Sequence, residues 1–255
     1  MIISEVIDRV GVISLNRPEK RNALNPEMVA GLKKAFRAFF EDDAVKLIKL
    51  RGEGEAFCAG ADLAVIRQLK EASYEENLAD SKELAELFSI IHHGTKPVVA
   101  AVHGHAIAGG CGLTTICDIV IASDLAKLGY TETRIGFVPA IVAQFLLRKV
   151  GETHARYLLF SGSLISAEEA ARIGLINESV PAEAFNERVD EIIKTLLHKT
   201  SGEALGRTKT LLNNVAELSF NDALDYAAEV NADARGTKDC QRGIQAFLDK
   251  EKLSW

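Results

Sequence analysis

Short, continuous apolar runs alternate with longer segments of helical periodicity in the first half of the chain. Residues 98–102 and 116–122 are apolar almost throughout, as expected of strands that are buried on both faces. Residues 10–15 and 45–50 have the length and branched side chains of strands, and residues 27–41 between them carry apolar side chains at helical spacing. Because helices separate the strands, parallel pairing is favoured. The pattern predicts an α/β fold built in layers.

From about residue 152 onward the pattern becomes almost wholly helical. Helices are predicted over residues 166–173, 182–198, 203–218, 222–234 and 238–253. The stretch Thr200-Ser201-Gly202 predicts a boundary between a core of residues 1–199 and a C-terminal helical region of residues 200–255. Three amphipathic helices alone would leave apolar faces that need a partner.

Composition excludes several classes of function. A chain of 255 residues with 47% hydrophobic content can bury a sizeable core, and its formal charge of −6 argues against a polyanionic partner such as nucleic acid or acidic lipid. The apolar run from Pro97 is interrupted by glycines and by Asp118, which is poor for a membrane span. The four cysteines lack metal or disulfide spacing, and His103 and His105 have no third ligand nearby in sequence. We therefore expect a cytoplasmic protein without a metal, bound to neither nucleic acid nor membrane.

Two segments of small residues stand about fifty residues apart, at 56–63 (AFCAGADL) and 104–112 (GHAIAGGCG). In each, small residues follow a predicted strand and precede a predicted helix, so N–H groups at the turn have no acceptor within the helix. Such amides can hold an oxyanion. Neither segment has the spacing of a dinucleotide-binding or phosphate-binding glycine loop.

With the stretch at 96–102 (KPVVAAV) and the later stretch at 131–139 (TETRIGFVP), the order and spacing of these segments resemble the enoyl-CoA hydratase/isomerase family, the crotonases. The resemblance begins at 16–24 (NRPEKRNAL) and runs to Phe247. It implies a crotonase-type ββα spiral core with a C-terminal α-helical region that forms trimer contacts. It also implies an acyl-CoA substrate, no separate cofactor because coenzyme A is part of the substrate, and a homotrimer or a dimer of trimers.

The resemblance further implies the catalytic residues. The amides of Ala61 and Gly109 would converge on the thioester carbonyl and stabilise an enolate, a contribution of roughly 3–4 kcal/mol per donor in comparable sites. Glu132 lies where crotonases place the second of two catalytic glutamates. A carboxyl in an apolar pocket favours its neutral form, which suits a group that must give and take a proton near neutral pH.

Coenzyme A brings phosphates and an adenine, and the resemblance assigns two loops and one lysine to them. Cations suit the phosphates. Lys250 would reach a phosphate from a neighbouring helix or subunit. The other residues assigned to the nucleotide are Lys20, Arg21, Ala23, Ala59, Gly60, Asp62 and Leu63.

Gly112 departs from the pattern of two-glutamate hydratases, whose first glutamate would stand here. A double-bond isomerase needs only one base to move a proton between two carbons, so the residue chemistry favours an isomerase. However, the stretch from Glu132 to Ala140, combined with glycine at 112, is similar to bacterial hydratases of 3-methylglutaconyl-CoA, a substrate with its own distal carboxylate. On this resemblance we expect an enoyl-CoA hydratase, with an isomerase as the alternative and a non-catalytic CoA-binding relative as a more distant one.

Overall fold

The computed structural model describes residues 1–255, in which nine strands and ten helices are defined. The strands are β1 (Ile2–Ile7), β2 (Val10–Leu15), β3 (Leu47–Gly52), β4 (Val98–Val102), β5 (Ala106–Ile107), β6 (Ile119–Ser123), β7 (Lys127–Gly129), β8 (Leu164–Ser166) and β9 (Glu178–Val180). The helices are α1 (Pro26–Glu41), α2 (Leu63–Glu71), α3 (Tyr74–His93), α4 (Gly109–Ile116), α5 (Ala140–Ser161), α6 (Ala167–Arg172), α7 (Phe185–Lys199), α8 (Gly202–Val215), α9 (Phe220–Arg235) and α10 (Lys238–Leu248).

Six strands form the main sheet in the order β1-β2-β3-β4-β6-β9. The edge strand β1 is antiparallel to β2, and every other neighbouring pair in this sheet is parallel. A smaller sheet has the order β5-β7-β8, with β5 parallel to β7. Helices connect the parallel strands, which agrees with the predicted α/β class.

Apart from the exposed edge strand β1, the main sheet is buried on both faces. Successive residues of β2 alternate between two hydrophobic clusters, so that Val12 belongs to the smaller cluster and Ile13 to the larger one. The larger cluster takes in residues from α1, α3, α4 and α5, and α7 covers the other face. Four residues of α7 form a stripe at intervals of four, namely Phe185, Val189, Ile193 and Leu197. Each large side chain buried in this way stabilises the fold by about 1.5–3 kcal/mol.

Several predicted boundaries differ from the structure, and two of them show why. The strand predicted over residues 116–122 begins only at Ile119, because Ile116 is the last residue of α4. An apolar run without a turn residue does not show where a buried helix ends and a buried strand begins. The helix predicted to reach residue 253 ends at Leu248, where Lys250 takes a left-handed conformation with φ of +56° and Glu251 N–H donates to Ala246 O.

Buried lysines attach the C-terminal helices to the sheet. Lys209 on α8 is only 6% exposed, and its Nζ donates to Ile91 O, Lys96 O and Asp118 Oδ2 at 3.0, 3.2 and 2.8 Å. Lys46, which precedes β3, likewise donates to Leu197 O at 2.6 Å. Helix α8 begins beside the predicted boundary at residue 200, but the division into two regions stays a prediction. None of the helices combines the length and apolar character that crossing a membrane requires.

Three neighbouring strands position the loops that the sequence singled out. β2, β3 and β4 are adjacent and parallel, and they are followed by residues 16–25, 53–62 and 103–108 respectively. The carboxyl ends of parallel strands meet at one edge of a sheet, where ligands of α/β proteins commonly bind. The loops that carry the candidate residues are therefore brought together at this edge.

Candidate active site

The turn at Gly60 and Ala61 is fixed by backbone hydrogen bonds to the preceding loop. Leu24 N–H donates to Gly60 O at 2.6 Å, and Asp62 N–H donates to Leu24 O at 2.8 Å. Gly60 has φ of +91°, a conformation that side chains rarely adopt. The N–H of Ala61, between these bonds, has no acceptor in the protein, and Ala61 is exposed. One amide is thus held rigidly while its hydrogen remains free for a ligand.

The second amide lies beside the first. Cys58 exchanges hydrogen bonds with residues 105–107, accepting from Ile107 N–H at 2.9 Å, and this pairing brings the two loops together. A Cβ atom built on Gly60 would lie 3.6 Å from Gly109 N. Gly109 is the first residue of α4, and its N–H also has no acceptor in the protein. The amides of Ala61 and Gly109 therefore form a pair of free donors, and their catalytic role stays a prediction.

Ala108, directly before this second amide, has a strained backbone. Its φ and ψ are +51° and −122°, and its N–H donates to Gly129 O at 2.8 Å. A non-glycine residue in such a region costs about 1–3 kcal/mol, which surrounding structure must offset. The strain lies where the chain turns from β5 into α4. It sets the direction in which the Gly109 amide points.

Glu132 reaches the same edge through the smaller sheet. Ile107 of β5 pairs with Gly129 of β7, so Glu132, three residues beyond Gly129, follows the same end of the sheet as Gly109. Glu132 begins a 3-10 turn of four residues, anchored where Thr133 Oγ1 donates to Leu159 O at 3.0 Å. The role of Glu132 as proton carrier stays a prediction.

Glu132 is half-buried, and one oxygen of its carboxyl is buried without a partner. Its Oε2 atom is inaccessible to solvent and has no hydrogen-bond partner. Burial raises the pKa of this carboxyl, opposed by a hydrogen bond from its own backbone N–H. A buried oxygen without a partner is costly, and its presence in a native site calls for a functional explanation. An acid that is easily protonated and has a free oxygen suits proton transfer.

The position where a second carboxylate is expected is closed by packing. Gly112 is fully buried in α4, and a Cβ atom built on it would lie 2.5 Å from Val142 Cγ1 and 3.0 Å from Phe88 Cζ. Such contacts are shorter than van der Waals distances allow. The site therefore offers one carboxyl, that of Glu132.

The residues predicted to bind the nucleotide lie in the two loops, but not all of them expose groups that a ligand can reach. Lys20 and Arg21 are exposed, and the carbonyl of Arg21 accepts from Ala59 N–H at 3.0 Å. Ala23 is buried, whereas Leu63 is exposed at the start of α2. The exposed cations of the first loop and the backbone of the second can thus face one ligand.

Asp62 is committed to the protein itself. Its carboxylate caps α2 by accepting from Ala64 N–H at 2.8 Å and pairs with Arg17 Nη1 at 2.5 Å. These two donors, the backbone N–H first, hold the pKa of Asp62 below its usual value. Arg17 also donates to Ala23 O at 3.2 Å. Asp62 therefore shapes the loop, and its side chain is not free to bind a nucleotide.

Lys250 is exposed, and its segment is anchored at the other end of the main sheet. Trp255, five residues later, donates its N–H to His198 O at 3.2 Å, and its carbonyl accepts from Arg9 Nη1 at 3.0 Å. Arg9 directly precedes β2, whereas the loop of Lys20 follows it. Within one chain, Lys250 forms no hydrogen bond with that loop, since its N–H donates to Phe247 O at 3.3 Å. A phosphate-binding role for Lys250 thus needs a neighbouring subunit and stays a prediction.

Sequence reasoning missed two residues that organise these loops. Arg17 was quoted only as part of a motif, although it holds Asp62 in place. Asn22 is fully buried with φ of +55°, and its Nδ2 donates to Glu53 O and Ala56 O at 2.8 Å each. Asparagine tolerates the left-handed region, so its place in a predicted turn was the available signal.

Known proteins are similar to this one in both sequence and fold. A sequence profile described as enoyl-CoA hydratase/isomerase matches residues 5–255. The chain belongs to this family. A Thermus thermophilus relative, provisionally named an enoyl-CoA hydratase, is 42% identical over 241 residues, which cover 94% of this chain and 95% of the relative. Crotonyl-CoA hydratase of Syntrophomonas wolfei is 36% identical over 260 residues, which cover 100% of this chain and 97% of the relative.

The crystal structure of a Mycobacterium smegmatis enoyl-CoA hydratase superposes with a TM-score of 0.95 at 29% identity, covering 100% of this chain and 98% of that one. The crotonase-type fold is thereby confirmed, together with membership of an enzyme family. The names of these relatives favour a lyase over an isomerase.

Proposed function

We propose that the protein adds water to the double bond of an enoyl-CoA thioester, with 3-methylglutaconyl-CoA as its substrate. The observation that carries the proposal is the pair of free amides at Ala61 and Gly109, together with an unpaired carboxyl oxygen on Glu132, which follows the same end of the smaller sheet as Gly109. Family membership and the names of the relatives support hydration in general. The choice of this branched substrate rests on the resemblance of the stretch from Glu132 to Ala140 and is supported by the closed space at Gly112.

The reaction follows from the directions of these groups. The thioester oxygen accepts hydrogen bonds from the amides of Ala61 and Gly109. The carboxylate of Glu132 takes a proton from water, the water oxygen bonds to C3, and the electron pair of the double bond moves to form an enolate. The protonated Glu132 then gives its proton to C2, which restores the carboxylate. Each amide contributes about 3 kcal/mol because it is already oriented toward the developing negative charge.

The single carboxyl limits what can orient the attacking water. Glu132 must accept the proton of the water, and position 112 supplies no second acceptor because Val142 and Phe88 fill that space. A substrate with a distal carboxylate brings an acceptor of its own. This reasoning favours 3-methylglutaconyl-CoA over crotonyl-CoA, which ends in a methyl group.

One observation favours a different reaction. A single carboxyl with one free oxygen is sufficient to move a proton between C4 and C2, as in isomerisation of a 3-enoyl-CoA to a 2-enoyl-CoA. No water is consumed in that case. The names of the relatives weigh against it, so the isomerase is kept as the second candidate.

We expect the purified protein to hydrate 3-methylglutaconyl-CoA at least about tenfold faster, in kcat/KM, than crotonyl-CoA, because only the first supplies an acceptor for water. Hydration is followed by loss of enoyl-thioester absorbance and by product mass, and isomerisation of 3-enoyl-CoA by product analysis in the same preparation. Rapid isomerisation without hydration of either substrate would contradict the hydratase assignment. Faster hydration of crotonyl-CoA would contradict the branched substrate alone.

We also propose that the protein assembles as a trimer or a dimer of trimers. Helix α9 has no buried residue, and several large apolar side chains of the C-terminal helices are exposed. The most exposed are Leu212, Phe220, Leu224, Phe247 and Leu248, at 62%, 78%, 55%, 84% and 67%. Contacts between copies would bury such surface. Sedimentation at micromolar concentration should give a trimer or hexamer, and a monomer would contradict the assembly and the role of Lys250.

A further inference from the structure

Gly112 faces side chains on two other helices. It lies one turn after Gly109 on α4, so a side chain at 112 would project from the same side of the helix as Gly109. Its Cβ would meet Val142 Cγ1 of α5 at 2.5 Å and Phe88 Cζ of α3 at 3.0 Å. Both Val142 and Phe88 are buried in the main core, at 4% and 0% exposure. The space beside Gly112 is thus occupied by two side chains.

Neither helix can simply move away. The ring of Phe88 packs against Phe145 of α5 with centroids 5.6 Å apart, so the two helices support each other. Helix α5 begins shortly after the turn of Glu132, whose carbonyl accepts from Phe137 N–H at 3.1 Å. A shift of α5 large enough to admit a side chain at 112 would therefore displace the proton carrier. A smaller side chain at position 142 removes the closest contact without that displacement.

The obstruction at Gly112 differs from that at Gly110, two residues earlier on the same helix. A Cβ atom on Gly110 would meet the backbone oxygen of Cys58 at 2.2 Å, and no substitution of a side chain removes a backbone atom. At Gly112 the closest atom is a methyl carbon of valine. Gly110 thus serves as a matched control, because it has the same helix and the same residue type but cannot be relieved by a change at 142.

We infer that Val142, backed by Phe88, determines which enoyl-CoA thioesters the protein hydrates. Its side chain excludes a second carboxylate from the face of α4 that carries the Gly109 amide, and it thereby makes hydration depend on an acceptor in the substrate. The inference rests on the proposed hydratase function. It assigns specificity to a residue that has no part in proton transfer, since an apolar valine can only fill space.

The test compares the wild type with Gly112→Glu, Val142→Ala and the double variant, assayed with crotonyl-CoA and 3-methylglutaconyl-CoA. We expect Gly112→Glu alone to lose stability and activity with both substrates. The double variant should hydrate crotonyl-CoA at least about tenfold faster, in kcat/KM, than Val142→Ala, because a second carboxylate can then orient water. A folded double variant that gains nothing over Val142→Ala would overturn the inference. A gain in Gly112→Glu alone would overturn it equally.

A stability cycle with alanine tests the packing independently of catalysis. Gly112→Ala should lower the midpoint of urea unfolding, and Val142→Ala should reduce that loss when the two are combined. Gly110→Ala should show no such rescue by Val142→Ala. Additive effects at position 112 would overturn the steric basis of the inference. The wild type could hydrate neither thioester while the alanine variants at 112 and 142 still show non-additive stability effects. In that case the proposed function fails, but the contact between positions 112 and 142 is established.

Discussion

Replacing Glu132 with glutamine is expected to lower kcat at least about a hundredfold, the usual scale for a general acid or base. The amide keeps the shape of the side chain but cannot accept and return a proton. Position 112, where a second carboxylate would be expected, is a glycine closed in by Val142 and Phe88, so it supplies no acid to replace Glu132. Turnover and affinity for a CoA product should be measured in parallel.

Glu178→Gln is a suitable control. Glu178 lies on β9, at the far edge of the main sheet, where it pairs with Arg188 of α7 and takes no part in the site. It should retain the wild-type rate. Glu132→Gln should still bind CoA with an affinity within a few fold of the wild type, since the loop of Lys20 and Arg21 is unchanged. A rate for Glu132→Gln within a few fold of the wild type would refute the assignment of the proton carrier.

The same variant should be more stable than the wild type at neutral pH. Burial raises the pKa of Glu132 above its usual value of 4.5, so between the two values the folded state binds more protons than the unfolded state. Stability therefore falls as pH rises through the raised pKa, and the cost of the buried charge is complete above it. Glutamine carries no such charge. Urea unfolding at pH 7.5 should give a higher midpoint for Glu132→Gln, and the difference should disappear toward pH 4.

The core of the fold could be predicted from the sequence because its strands are marked by local pattern. Residues 98–102 form a strand as predicted, bounded by a proline and a histidine, and the helix predicted at 27–41 begins one residue earlier. The strands β5, β7 and β8 have only two or three residues, too few for any periodicity. β5 and β7 form because they pair with each other in the folded protein, as Ile107 does with Gly129. Such short pairs depend on tertiary structure and leave no local signal.

The residues of the candidate site likewise divide into those that the sequence indicates and those that only the folded structure reveals. The segments that supply Ala61 and Gly109 were recognisable because small residues follow a predicted strand in each, and Glu132 was recognisable from the family resemblance of its stretch. The partners of those segments were not recognisable. Val142 lies within an ordinary amphipathic helix, and nothing in its neighbourhood indicates that it touches Gly112. Lys209 has the appearance of a surface lysine, yet it is buried against the ends of β4 and β6.

The second large effect is expected at Gly110, where alanine should both destabilise the protein and disable the site. A Cβ atom there would lie 2.2 Å from the backbone oxygen of Cys58, which also accepts from Ile107 N–H at 2.9 Å. Relieving this contact requires α4 to move away from the loop that carries Ala61. Overpacking of this kind costs about 1–3 kcal/mol. The movement would also separate the two amides that must bind one oxygen.

We expect Gly110→Ala to lower the midpoint of urea unfolding and to reduce kcat at least about a hundredfold, the scale on which loss of one oxyanion donor acts. Gly243→Ala is the matched control, because Gly243 is also helical and its Cβ would lie 3.4 Å from the ring of Trp255, an ordinary contact. That variant should be at least as stable as the wild type, since alanine favours a helix by about 1 kcal/mol over glycine. Wild-type turnover in a folded Gly110→Ala protein would show that catalysis does not require the close contact between α4 and the Cys58 loop. It would also contradict the assignment of the Gly109 amide to the oxyanion site.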